Sequence, residues 1–227
     1  MKFQDYPYTR PNVQQYEVKF EKVLSRFIEA TSVSLQEDAL QELNSMRNEI
    51  STLSNIVSVR HSIDTNDEFY KAEQEYFDEV MPLFQALDTK FYEALVNSTF
   101  RPQLEEKWGK QLFSLAECEL KTFHPSIIED LQKENKLVTQ YNKLIASAKI
   151  LFDNEEKTLA QLDPYIESKD RAVRKQASEA KFSFFADNSR ELDDIYDQLV
   201  KVRTKMAKQL GFRNFVELGY ARMTRTD

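Results

Sequence analysis

The sequence predicts a mainly α protein, an array of long antiparallel helices with one short β-hairpin near residues 149–159. Two observations set the class. The chain has 227 residues but only three glycines and six prolines, where average usage of about 7% glycine would give roughly 16, so turns are few and elements long. Glu, Lys, Gln, Leu and Ala are abundant, and unbranched side chains lose little rotamer freedom in a helix. A hydrophobic fraction of 41% is enough to bury one sizeable core or two modest ones.

Behind a polar lead containing proline, Tyr16, Phe20, Val23, Leu24, Phe27 and Ile28 recur at spacings of three and four, the period of an amphipathic helix. Ser34 and Glu37 have capping-box spacing. Leu40, Leu43, Ile50, Leu53 and Val57 then carry one stripe along a helix from about 35 to 62. Thr65 and Glu68 repeat the box. Phe69, Tyr76, Val80, Phe84, Leu87, Phe91 and Leu95 follow over about 30 residues, a helix of roughly 45 Å at 1.5 Å per residue. Joined by a short connection, these two helices are expected to pair antiparallel as a long prong, the second bent at Pro82.

Arg101-Pro102 signals a further helix carrying Leu104, Trp108, Leu112, Leu115 and Leu120. His124-Pro125-Ser126 ends it and opens another, with Ile127, Ile128, Leu131, Val138, Tyr141 and Ile145. Lys149 to Leu159 departs from the helical period: two short runs flank a polar turn, the pattern of a small β-hairpin. Asp163-Pro164 closes it, and Ser168 is the expected cap of a helix holding Ala172, Val173, Ala177, Ala180, Phe184 and Phe185. Asn188 with Glu191 is expected to cap the next, whose face carries Leu192, Ile195, Tyr196, Leu199, Val202, Met206 and Leu210. Gly211 stands where a left-handed C-cap belongs, and Asn214 starts a last short helix. The weakest join is Ser98 to Pro102, which suggests a helical region 1–100 with the long antiparallel pair and a second region 101–187 with the hairpin.

A formal charge of −7, with charged residues of both signs, argues against a surface that follows a phosphate backbone, so no nucleic-acid partner is expected. Met1 to Pro7 lacks the apolar run of a signal peptide, and no stretch approaches the ~18 apolar residues of a membrane span. A single cysteine, Cys118, suits a reducing compartment, which points to the cytoplasm.

Few residues carry a chemical signature. His61 and His124 are isolated, without HExxH or ExxH, and read as surface or capping residues. Gly109, Gly211 and Gly219 are too far apart for a phosphate loop. Cys118 lies among Leu115, Ala116 and Leu120 and reads as a buried inert thiol. The pairs Glu105-Glu106, Glu155-Glu156 and Asp193-Asp194 point about 100° apart on a helix and read as solvated. Two basic clusters, Lys169, Arg171, Arg174 and Lys175, then Lys201, Arg203, Lys205 and Lys208, fit solvated salt-bridging faces better than an anionic partner. The aromatic group Phe182, Phe184, Phe185, Phe212, Phe215 and Tyr220 fits core better than a ligand wall.

One stretch carries more. Arg171-Ala172-Val173-Arg174-Lys175-Gln176-Ala177, Phe184-Phe185-Ala186-Asp187-Asn188 and the run from Leu199 through Gly211-Phe212-Arg213-Asn214-Phe215 to Tyr220 resemble oligoendopeptidase F-like zinc metallopeptidases, relatives of thimet oligopeptidase. The resemblance implies a mostly helical ellipsoid with a deep channel that admits short peptides. It implies zinc in the parent enzyme, held by HExxH and a downstream glutamate, with none bound by this chain. This chain would be the amino-terminal lobe, a scaffold and channel wall, with 188–227 the truncated start of the catalytic domain. The implied partners are the missing carboxy-terminal catalytic part and short peptides, and an exposed cut face that favours a homodimer. Tyr220, Arg222 and Arg225 are the candidates to face the channel, because aromatic and guanidinium groups stack on or pair with a peptide; inter-helix packing and salt bridging is the plainer reading of all three. A free-standing helical interaction module, docking a partner helix on its prong, is the alternative function.

Overall fold

The computed structural model describes residues 2–226. Among them lie ten α-helices: α1 (Val13–Ile28), α2 (Val33–Ile63), α3 (Glu68–Val96), α4 (Arg101–Trp108), α5 (Lys110–Glu119), α6 (Ile128–Ala146), α7 (Asp163–Ile166), α8 (Arg171–Asp187), α9 (Ser189–Gln209) and α10 (Phe215–Arg222). One two-stranded antiparallel sheet, β1 (Ile150–Phe152) with β2 (Glu155–Lys157), pairs Ile150 with Lys157 and Phe152 with Glu155. Asp153 and Asn154 at its turn have φ of 54° and 60°, the paired left-handed geometry that short polar residues tolerate and that matches strand twist. The expected class and hairpin are both present.

α2 and α3 pair antiparallel, with Arg47 bonded to Asp88 near one end and Arg60 to Tyr70 at the other. They do not form a free prong. α1 packs across both, and Phe20, Phe27, Leu40, Leu43, Phe91, Leu95, Leu104 and Phe113 share one core that draws on α1 through α5. That core runs through the join at 98–102, where the Ser98 hydroxyl also donates to Gln36 Oε1. A second cluster, Ile127, Leu131, Met206, Ala207 and Leu218, joins α6 to α9 and α10. A smaller one seats the hairpin on α8 through Ile150, Leu159 and Leu162.

The polar lead packs. Arg60 donates to the carbonyls of Phe3, Gln4 and Tyr6, while Tyr8 and Arg10 both bond the buried Glu73 carboxylate. Phe69, expected in the α3 stripe, is 55% exposed, because the stripe turns inward only from Glu73 and Phe77. α3 continues through the buried Pro82.

Several helix starts differ from the expected ones. α2 is capped by Ser32 rather than Ser34, α3 by Asp67 rather than Thr65, and α8 by Asp170 rather than Ser168. The Asn188 side chain does not cap α9; its amide donates back to Phe184 O at 2.8 Å. The single helix expected after Pro102 is two, because Gly109 sits at φ 86° between α4 and α5, a conformation glycine enters without steric cost.

Candidate functional site

α2, α3 and α6 enclose a trough of about 850 Å³. It exists because α2 carries small polar residues where a packed helix would carry leucines. Ser51, Ser54, Asn55, Ser58 and Ser62 recur at spacings of three and four along the face that meets it, and short side chains leave the space unfilled. Gln74, Asp78, Gln85 and Asp88 of α3 and Asn135, Thr139 and Asn142 of α6 line it further, over an apolar floor that includes Ile50, Phe77, Met81 and Leu131.

Three acidic groups of the trough lie in different surroundings. Asp88 accepts from Arg47 Nε at 2.8 Å; burial nevertheless raises its pKa, only partly offset by that guanidinium. Glu134 accepts from Arg203 at 2.6 Å and from Arg222 at 2.8 Å. Burial alone would raise its pKa, but the two guanidiniums outweigh burial and hold it below the usual carboxylate range. Asp78 is 6% exposed and accepts from Gln74 Nε2 at 2.9 Å; burial raises its pKa.

His61, read from sequence as a surface or capping residue, is instead buried in the last turn of α2 and lines the trough. Its Nδ1 has no hydrogen-bond partner, and burial with the field of Lys143 lowers its pKa, which keeps the ring neutral near pH 7. His124 does cap: its Nδ1 accepts from the Ser126 amide at the turn before α6. Cys118 is buried and its Sγ donates to Ala221 O at 3.1 Å, tying α5 to α10.

Of the channel candidates, the fold brings only Arg222 to the trough, held there by Glu134. Tyr220 is 51% exposed and lies outside the trough, with the Arg225 guanidinium 5.3 Å over its ring. The basic clusters are largely spent internally. Arg203 bonds Glu134, Lys205 bonds Asp130, Lys201 bonds Asp197, and Arg174 donates to the carbonyls of Ser168 and Lys169. In the aromatic group, Phe184, Phe185, Phe212 and Phe215 pack on the cores. Phe182, at 67% exposure, and Tyr220 do not, because their helical faces meet no neighbour. Sequence reasoning missed His61, Asp78 and Glu134 as site residues; the serine and asparagine stripe of α2 was the available signal.

Residues 3–123 match the family described as the Peptidase M3 N-terminal domain. The chain belongs to the M3 peptidase family. Solved structures agree along its whole length. A protein described as oligoendopeptidase F is 57% identical with a TM-score of 0.96, and PZ peptidase A with an inhibitor is 57% identical at 0.95. An oligoendopeptidase F from Bacillus anthracis str. Ames is 54% identical at 0.96. All of this chain is covered in each case, but it spans only 40% to 42% of the length of those chains. No curated protein matches it.

As an M3 N-terminal domain, the molecule is the amino-terminal part of an oligoendopeptidase F-like fold. Among the described residues no three His, Cys, Asp or Glu side chains are grouped to hold a metal ion. The zinc of the family therefore has no fit on these residues. No described helix is long and apolar enough to cross a membrane.

Proposed function

We propose that this chain is the amino-terminal scaffold and one channel wall of a cytoplasmic zinc oligoendopeptidase that hydrolyses short peptides, and that it is inactive by itself. The observation that carries the reading is identity of 54–57% over the whole chain to oligoendopeptidase F structures with TM-scores of 0.95–0.96. At such identity the wall and its polar lining would serve the same enzyme architecture. The trough supports it chemically, since a row of neutral Ser, Asn, Gln and Thr groups suits the alternating donors and acceptors of an extended peptide backbone. Arg222 contributes to that wall from the last helix, while Tyr220 and Arg225, stacked on each other outside the trough, would meet a peptide only where the channel extends beyond it. Residues 1–100 and 101–187 serve as the two parts of the scaffold, and 188–227 leads into the catalytic domain that would hold zinc.

The interaction-module alternative loses its main support, because the apolar stripes of α2 and α3 are already covered by α1 and α5. The test is cleavage of a quenched fluorescent oligopeptide. The purified 227-residue chain is expected to be inactive with or without zinc, and a longer protein carrying an HExxH-containing continuation is expected to cleave in a zinc-dependent manner. Zinc-dependent cleavage by the chain alone, or none by the longer protein, overturns the reading.

A further inference from the structure

One end of the trough, where the last turns of α2 face α3 and α6, carries a buried carboxyl group that no lysine or arginine pairs with among the described residues. Asp88 is paired with Arg47, and Glu134 with Arg203 and Arg222. Asp78 is 6% exposed, and its carboxylate accepts from the neutral Gln74 amide on its own helix, with Thr139 of α6 lining the trough beside it. Among the described residues no lysine or arginine forms an ion pair with it. Lys136 of α6, whose field reaches Asp78, is itself paired with Glu79.

From α2 comes His61, also 6% exposed, its Nδ1 without a partner. The charged groups acting on His61 are Lys143 of α6, which lowers its pKa, and Asp78 and Glu75 of α3 with Asp67 before α3, which raise it. Burial and Lys143 lower the pKa of the ring against the pull of Asp78, and among the described residues His61 forms neither a hydrogen bond nor an ion pair with that carboxylate, its Nδ1 being without a partner. A buried carboxylate satisfied only by neutral groups is costly to keep ionised, and an entering cation relieves that cost. Ser58, Ser62 and Asn142 line the same end and offer further oxygen acceptors to a group with three N–H donors.

We propose that this end of the trough is a subsite for a primary ammonium group, seated on the Asp78 carboxylate and brought by the amino terminus or a lysine side chain of a short peptide. The inference deepens the channel-wall reading, on which it rests for the peptide, and it names the charge the wall selects. Binding is measured on the 227-residue chain itself. Isothermal titration near neutral pH compares a short Ala/Ser peptide amide with a free amino terminus, its acetylated form, and the acetylated form with one internal lysine. The free-amine peptide, the lysine peptide or both are expected to bind at least about tenfold tighter than the acetylated control, the effect of one charge-assisted contact. Which of the two does so identifies the source of the ammonium. Asp78→Asn is expected to erase that preference. Equal binding of all three peptides, or a preference that survives Asp78→Asn, overturns the subsite.

If Asp78→Asn fails to fold, a carbon-13 carboxyl titration of Asp78 in the unaltered chain decides. The amine-bearing peptide should lower its midpoint where the acetylated one does not, and identical midpoints overturn the proposal. Failure of the longer protein to cleave peptides would sink the peptidase reading without touching these binding results, whereas equal binding would sink the subsite alone.

Discussion

Glu134 is the side chain on which α6, α9 and α10 converge. Its carboxylate is 5% exposed and takes Arg203 and Arg222 at hydrogen-bond distance, with both guanidiniums about one-third exposed. Burying one carboxylate between two cations is tolerable only while both pairs are intact; removing it leaves two partly buried charges unanswered, a loss of about 3 kcal/mol. Glu134→Gln is therefore expected to lower the urea midpoint clearly, whereas removing either arginine alone leaves one pair and costs less. The pH dependence follows in sign. The folded pKa of Glu134 lies below its unfolded value of about 4.3, so its contribution is full above that value and is lost as pH falls through the folded pKa. Glu73, lowered chiefly by Arg10, adds to the same trend. Asp78 and Asp88, whose pKa values are raised, act with the opposite sign, so the expected outcome is a difference: on acidification below about pH 4.5, urea titrations of the unaltered chain should lose more stability, or gain less, than those of Glu134→Gln.

The best-formed junction among the helices is the one between α9 and α10. Gly211 has φ 83°, its amide donates to Lys208 O, and the Phe212 amide donates to Ala207 O at 2.8 Å, the two bonds that close a helix through a left-handed residue. Nothing lies within 4 Å of the position a Cβ would take, so the cost of Gly211→Ala is conformational rather than steric with neighbours. It should be about 1 kcal/mol, or about 2–4 °C in melting temperature by calorimetry. Asn214 then caps α10, accepting from the Val216 and Glu217 amides, and Asn214→Ala should lose about 1 kcal/mol in the same measurement. Both features were legible because one residue at each place could do the task. At the starts of α2, α3 and α8 two or three polar residues stand close together, Ser32 with Ser34, Thr65 with Asp67, Ser168 with Asp170. Each can cap in isolation, and packing of the first turn chooses among them.

For the whole molecule, the face left bare is informative. Val216, Tyr220 and Met223 lie at spacings of four and three along α10 and its end, and are 62%, 51% and 61% exposed. Apolar groups in such a row mark a surface that meets another body. In the proposed enzyme that body would be the catalytic part, and for the isolated chain we propose a second copy. Sedimentation velocity over a wide concentration range should show reversible self-association of the chain, and the double change Val216→Lys and Met223→Lys should abolish it. A unaltered chain that stays monomeric throughout would count against a covered face. Arg60, Tyr8 and Arg10 hold the lead segment against α2 and α3.

Periodicity was enough to determine the helical class, the hairpin at 150–157 and the closing turn at Gly211, because each depends on contacts within a few residues or on one residue's own conformational freedom, and the short connection between two amphipathic helices was enough to set the antiparallel pairing of α2 with α3. The family was legible too, through the stretch from Arg171 to Tyr220. Only the tertiary structure decided that the long pair is wrapped by α1 and α5 instead of standing free, that His61 is buried, and that Asp78 lacks the cation which Asp88 and Glu134 both have. Those outcomes depend on which helix faces meet across stretches such as the 41 residues between Arg47 and Asp88 and the 88 between Glu134 and Arg222. A carboxylate's surroundings are set by the neighbours that packing supplies, and the order of residues along one helix does not contain them.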